Sequence, residues 1–387
     1  MNFNEIQLEK GDCLELLRMC FIDLFDTFIA KVVLVIAFVN VISLTVMQTY
    51  YSLYYLDAVH FLKYAPVYFG RFFVMVTIAF IRSSRNMLQF LQNLPKWKLD
   101  VVGKEEIEKE ATCVTVYCCL TILVGLCTAV LYVVPSQGDY ETFFIMTWFE
   151  EHVLEWADVL SLLHRLSFPF ASFLMQAPCI QMCYMLKHSQ FQVKILMQYI
   201  DNLDSGYEDS DMEQLIFDEN YQNEMKRRLI FCIKRHIEIF VACRKIVKAG
   251  SLFVFLFTTS GGLLGISILM YIVLLQDLLM FSYVRQCCLV FVVTFTGAFY
   301  IILGQGCEDS GEELYDVLCK CKWYCWNKEI QRTYLIFLMN ASVPFRLMFS
   351  DKISVNYNLG IDIAKAVYSM TSLMTYFRDS IIKNYTT

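Results

Sequence analysis

The sequence predicts an all-α membrane protein with seven transmembrane helices, a cytoplasmic N-terminus, an extracellular C-terminus and a cytoplasmic helical anchor region. Three observations carry this expectation: the composition, the number of long apolar windows, and the uneven placement of lysine and arginine between them. The 387 residues are 57% hydrophobic and 18% charged, with a mean hydropathy of +0.48. A soluble globular chain averages about 45–50% apolar and about 25% charged.

A spanning helix needs about 20 largely apolar residues to cross about 30 Å of hydrocarbon. Windows free of Asp, Glu, Lys and Arg fall at 32–56, 64–81 (interrupted by Arg71), 111–134, 166–186, 249–276 and 286–307. The seventh, LGIDIAKAVYSMTSLMTYFR at 359–378, is long enough to span but carries Asp362, Lys365, Ser369, Thr371, Ser372 and Thr375. Polar groups inside a membrane are costly unless they face protein or water. No window combines a basic leader with the small-residue cleavage site of a signal peptide, so the first span is expected to serve as its own insertion signal.

Positively charged connections stay cytoplasmic. Residues 1–30, 82–110, 187–248 and 308–352 carry 24 Lys and Arg, whereas the opposite side has five: Lys63, Arg165, Arg285, Arg378 and Lys383. The N-terminus is therefore expected inside, which argues against a rhodopsin-type G-protein-coupled receptor. None of the 16 Cys falls in the expected outer segments 57–63, 135–165, 277–285 or 379–387, so the thiols are expected to be reduced.

The inner segments hold most of the mass outside lipid. The fourth span is expected to continue through HSQFQVKILMQYI and to end before a solvated acidic loop at 201–214. Next, MKRRLIFCIKRHIEIFVACRKIVKAG places Leu229, Ile233, Ile237, Phe240 and Val247 on one helical face leading into the fifth span. Its expected partners are the extension of the fourth span and the segment 332–349. Asn340, Pro344 and Arg346 mark that segment as a buried cytoplasmic helix. The outer loop 135–165 carries Asp139, Glu141, Glu150, Glu151, Glu155 and Asp158 against Arg165. Two readings stay open for it: a vestibule that concentrates cations, or an ordinary solvated surface.

IKRHIEIF before the fifth span, GQGCEDSGEELYDVLCKCKWY after the sixth, MNASVPFRLMFS and KAVYSMTSLM together resemble the insect odorant receptor family of seven-span odour-gated channels. Thr375-Tyr376 is followed by FRDSIIKNYTT, which departs from the C-terminal signature of the related gustatory receptors. The segment between spans four and five is shorter than in the family's co-receptor. The resemblance thus implies a ligand-tuning subunit that acts with a co-receptor subunit in a heterotetramer, contacts membrane lipid and binds a small volatile odorant. A gustatory-receptor-like channel is the alternative, followed by a secondary transporter with helices broken at GGLLG (261–265), Pro169 and Pro178. No nucleic-acid partner, cofactor or metal is expected, and no catalytic motif is present.

On this reading residues 1–306 form spans one to six with the odorant pocket in their outer half. Residues 307–352 form cytoplasmic anchor helices that mediate subunit contact, and 353–387 form the seventh span, the pore helix. The resemblance places the pocket among spans two, three, four and six. Candidates are Tyr68, Phe72, Met75, Thr128, Tyr132, Phe170, Phe173, Leu174, Phe281 and Tyr283. A volatile ligand offers mostly apolar surface, each buried CH₂ contributing about 0.8 kcal/mol. The pore candidates are Ser369, Leu373, Tyr376 and Phe377, with Leu373 in a narrow apolar ring that gates by dewetting. Packing between helices is the competing reading of these small and hydroxyl residues.

Overall fold

The apolar windows fall on long helices, several of which extend well beyond the window at one end and build a second, non-spanning part of the molecule. The computed structural model describes residues 12–54, 58–92, 101–136, 139–207, 212–274, 280–343, 345–350 and 353–386. The main helices are α1 (Phe28–Tyr54), α2 (Ala58–Gln92), α3 (Val101–Val133), α4 (Phe144–His152), α5 (Ala157–Asp201), α6 (Glu219–Leu274), α7 (Met280–Cys319), α8 (Lys328–Ala341) and α9 (Tyr357–Thr386). At 1.5 Å per residue, the 56 residues of α6 extend about 84 Å, almost three times the hydrocarbon thickness.

Among the described residues, five helices are long and apolar enough to cross a membrane: those containing the first, second, third, fifth and sixth windows. Helices α5 and α9 fall short of that composition for opposite reasons. The polar side chains of α5, including Gln176, Gln181, Gln190 and Gln192, are buried against other helices. Those of α9 stand exposed on the isolated chain. The helix breaks that the transporter alternative would need at Pro169 and Pro178 do not occur, since α5 runs unbroken through both; GGLLG likewise lies within α6. Packed neighbours and polar side chains can satisfy the carbonyls that a helical proline frees.

Helix α2 packs most extensively on α6, and α5 sits centrally against α2, α3, α6 and α7. Close approach of α3 to α5 depends on Gly125, where a Cβ would collide with Gln176; Ser172 donates to the Gly125 carbonyl at 3.0 Å. Helix α1 stands at the periphery and exposes Val35, Ile36, Val39 and Val46.

Beyond the apolar windows, the ends of α5, α6 and α7 join α8 in a common core. Leu196, Met225, Leu229, Cys232, Leu314, Leu318, Ile330 and Tyr334 are buried together. Burying a large apolar side chain from water contributes about 1.5–3 kcal/mol. Tyr334 donates its hydroxyl to the Leu318 carbonyl at 2.6 Å, Trp326 Nε1 donates to Tyr221 at 3.2 Å, and Asn327 caps α8 by accepting from Ile330 N–H at 3.0 Å. On α6 the buried stripe is Met225, Leu229, Cys232, Ile239, Cys243 and Ile246, whereas the expected Ile237 is 54% exposed. The buried face turns away from the largest residues because Cys232, Ala242 and Cys243 permit close approach.

The acidic loop after α5 is shorter than expected: Asn202–Gly206 form a turn, and a short helix occupies Met212–Phe217. The segment 332–349 is helical only to Ala341. Met348–Ser350 then pair antiparallel with Ile353–Ser354, because chain near Pro344 leaves the helix. Toward the N-terminal end of α3, Lys187 and Lys194 donate to Glu110 at 2.8 and 2.6 Å. Burial opposes ionisation of Glu110, but these two lysines outweigh it and hold its carboxyl below the ordinary value. Hydrogen bonds from Arg227 and Arg228 bring Glu224 down to about 2. Arg228 also ties α6 to the turn after α5 through the carbonyls of Leu203 and Ser205, at 2.6 and 3.0 Å.

Candidate functional site

One end of the bundle is closed by the segment expected to be an acidic outer loop, either a vestibule or an ordinary solvated surface. After α3, residues Asp139–Thr142 make one helical turn, Phe143 is extended, and α4 follows. Within this acidic stretch the run FFIM is entirely buried: Phe143, Phe144, Ile145 and Met146 are each 3% exposed or less. Phe144 packs on Tyr51 and Tyr64, with ring centroids 4.6 and 5.9 Å away. Phe143 lies 5.3 Å from Phe168 and 6.2 Å from Tyr132. Thr142 shares a 3.0 Å hydrogen bond with the Tyr271 hydroxyl of α6.

Asp139 fastens this lid. Its carboxylate meets Arg285 at 2.5 Å and Arg165 at 3.0 Å, accepts from Ser136 N–H at 2.9 Å, and is fully buried. Arg285 also donates to the Leu131 carbonyl at 2.9 Å and to that of Val134, covering the C-terminal end of α3. A cation there complements both the helix dipole and its unpaired carbonyls. Asp139 is thus withdrawn from the acidic outer surface and supplies no negative charge to a vestibule.

Beneath the lid, Tyr132, Phe143 and Phe168 pack into a buried aromatic cluster, here called the chamber. Tyr132 is at its centre, 5.6 Å from Phe168 and below Arg285, whose guanidinium stands 5.5 Å over the ring. His164 lies 5.3 Å from Phe168. Arg71, one turn along α2 from Val67, is buried and donates to Gln48 Oε1 at 2.8 Å. Tyr132 OH, His164 Nε2, Arg71 Nη2 and Gln286 Oε1 are buried without a hydrogen-bond partner among the described residues. Buried polar atoms are ordinarily paired, so each such exception calls for a role.

The second element of interest is α9. GQGCED, near the end of α7, anchors its start. The backbone of Val355 lies so close to Gly304 that no Cβ fits there, Gln305 accepts from Tyr357 N–H at 3.2 Å, and Glu308 accepts from Asn356 at 3.3 Å. Asn356 in turn accepts from Leu359 N–H at 3.2 Å. Beyond this anchor, residues 361–370 are exposed on the isolated chain. Thr371 and Thr375 return their hydroxyls to the carbonyls of Val367 and Thr371, both at 2.9 Å. Asp362 and Lys365 pair at 3.8 Å across one turn and are about three-quarters exposed.

A family model described as 7tm odorant receptor matches residues 72–368, more than half of the chain. The chain belongs to the 7tm odorant receptor family. The receptor's fold is similar to that of the insect olfactory receptor OR5 from Machilis hrabei: TM-score 0.69, 10% identity, covering 95% of this chain and 93% of that one. The same receptor in complex with eugenol gives a TM-score of 0.67 at 9% identity, covering 96% and 93%. By sequence, no curated protein matches the chain.

The structure divides the ten pocket candidates of this odorant receptor. Tyr132 sits in the chamber. The Tyr68 hydroxyl is 3.1 Å from Thr49 Oγ1, Met75 is half-buried, and Thr128 is buried with its hydroxyl returned to Val124 O at 2.9 Å. Phe72, Phe170 and Tyr283 point outward, at 37%, 38% and 47% exposure. Phe173 packs on Phe21 and Phe25 of the N-terminal segment, and Leu174 lies in the main core. The side chain of Phe281 lies outside the described residues. Of the pore candidates, Ser369, Leu373 and Tyr376 are exposed, and the side chain of Phe377 is also outside the described residues. Sequence reasoning missed Phe143, Phe144, Met146, His164, Phe168, Arg285 and Gln286. The apolar run FFIM inside an acidic segment was the available signal for the lid.

Proposed function

We propose that this receptor is a ligand-tuning subunit that binds a small volatile molecule in the lidded outer chamber. Assembled with a co-receptor in a heterotetramer at the plasma membrane, it opens a non-selective cation channel. The observation that carries this reading is the buried aromatic cluster of Tyr132, Phe143 and Phe168 under the lid, with unpartnered polar atoms on Tyr132 and the adjoining His164. Pockets for small molecules combine an apolar lining with a few such groups. The fold's likeness to a receptor solved in complex with eugenol supports a small volatile ligand here.

Helix α9 supports the channel half of the proposal. Its exposed face joins hydroxyl and apolar residues, as expected of a helix that lines water on one side and a neighbouring subunit on the other. Leu373 would stand in the apolar constriction, and GQGCED would transmit movement of α7 to it. The test is expression of this chain with and without the co-receptor during exposure to a panel of volatile compounds. Together the two are expected to give an odour-evoked cation current with similar Na⁺ and K⁺ permeability, while this chain alone gives little. Robust odour-driven current without the partner would overturn the tuning-subunit assignment.

A further inference from the structure

The base of α9 is held to α7 by a carboxylate that belongs to neither the chamber nor the constriction. Glu308 is 8% exposed and engages two parts of the chain at once. Its Oε1 lies 3.4 Å from Arg346 Nε, on the linker after α8, and its Oε2 accepts from Asn356 Nδ2 at 3.3 Å. Asn356 also donates to Ser354 Oγ at 2.9 Å and caps α9 by accepting from Leu359 N–H at 3.2 Å. Between these two partners the chain folds back on itself, with Val355 N–H donating to the Leu347 carbonyl at 2.7 Å and Met348 paired with Ser354. One carboxylate of α7 therefore grips both ends of the hairpin that leads into α9. The two sides of the grip are unequal. Glu308 is largely buried and costly to leave without donors, whereas the Arg346 side chain, 54% exposed, is solvated by water when released.

We propose that Glu308 is a positioning residue for gating: through Arg346 and Asn356 it couples α7 to the base of α9, so that movement of α7 becomes movement of the constriction. This rests on the channel reading above and names the residue through which that coupling runs. Close packing supports it. The hairpin sits directly on the α7 backbone at Gly304, and a Cβ on Gly360 would meet Ile301 at 3.0 Å, so α9 stays against α7 through its first turn. Beyond that turn, residues 361–370 are exposed. Leu373 lies about 26 Å along α9 from Asn356 at 1.5 Å per residue, so a tilt of a few degrees at the hairpin displaces it by an ångström or more. Helix α7 also carries Arg285 near its other end, where it holds Asp139 of the lid at 2.5 Å. One unbroken helix thus bears a charged clasp toward each end, one on the lid and one on the hairpin, and rigid elements of this kind carry coupling between distant sites.

The experiment records currents evoked by a mixture of eugenol, 1-octanol, hexyl acetate and hexanoic acid on cells carrying the co-receptor with the parent chain, Glu308→Gln, Arg346→Gln or the double variant. Surface labelling converts each maximum to current per surface subunit. Each single substitution is expected to lower that maximum roughly 2- to 10-fold, the range for residues that carry coupling between sites. The half-maximal concentration should move less, because the chamber is untouched. The double variant should fall no further than the worse single one, since both remove the same tie. Glu308→Lys combined with Arg346→Glu should recover part of the current lost in Glu308→Lys alone, which a merely structural role for Glu308 would not produce. Should the Glu308 variants fail to reach the surface, Arg346→Gln tests the clasp by itself, because Arg346 is more than half exposed. Parent-like maxima in the single variants, or losses that multiply in the double one, would overturn the assignment and leave the channel reading intact. No current from the parent, with both subunits at the surface, would overturn the channel reading and the assignment with it.

Discussion

Tyr132 illustrates how a single side chain separates stability from function. Its ring is packed by Phe143, Phe168 and the Arg285 guanidinium, while its hydroxyl is buried without a partner. An unsatisfied buried hydroxyl costs about 1–3 kcal/mol. Tyr132→Phe keeps the ring contacts and removes that cost. The variant is expected to be at least as stable as the parent, measured as melting of the purified protein in detergent. It is also expected to need several-fold more ligand for half-maximal current, because the donor that waits for the ligand is gone. Unchanged sensitivity would show that the hydroxyl takes no part in recognition. Position 132 was legible in the sequence as a hydroxyl-bearing aromatic on the third span. Arg285 and Asp139 were not legible as partners, since 146 residues separate them and only folding brings them together.

At the scale of elements, α9 and the lid behave oppositely to what their compositions suggest. The lid segment is acidic yet buries four consecutive apolar residues; α9 is long and largely apolar yet exposes residues 361–370 on the isolated chain. For α9 the exposure fits a surface completed by other subunits. Leu373, 49% exposed and outside the aromatic cluster, is expected to control ion flow without touching ligand recognition. Leu373→Ser should wet the constriction and raise basal current, with the odorant concentration dependence little changed. The effect is partial in a heteromer, because the other subunits keep their own pore helices. A shift confined to odorant sensitivity would place Leu373 outside the gate. The opposite outcome for α5, whose polar residues turn inward, shows why neither helix reads as a simple hydrophobic span.

For the whole molecule, orientation is set by where cations are tolerated. The 24 Lys and Arg on one set of connections against five on the other predict a cytoplasmic N-terminus. A tag before Met1 should be inaccessible to antibody on intact cells and one after Thr387 accessible. Labelling of the N-terminal tag from outside would reverse the orientation and place the lidded chamber on the cytoplasmic face. By itself, the sequence determined the number and positions of the long helices, the cation asymmetry and the family, because apolar length and charge are properties of local stretches. Only the tertiary structure decided which face of each helix turns inward. Lipid and protein interior are similarly apolar, so a spanning helix carries little periodic mark of its packed side. Hence Phe168 enters the chamber and Phe170, two residues on, points away. The same limit hid the fate of Asp139. Its burial required two arginines from distant helices, and that compensation exists only once the helices have packed.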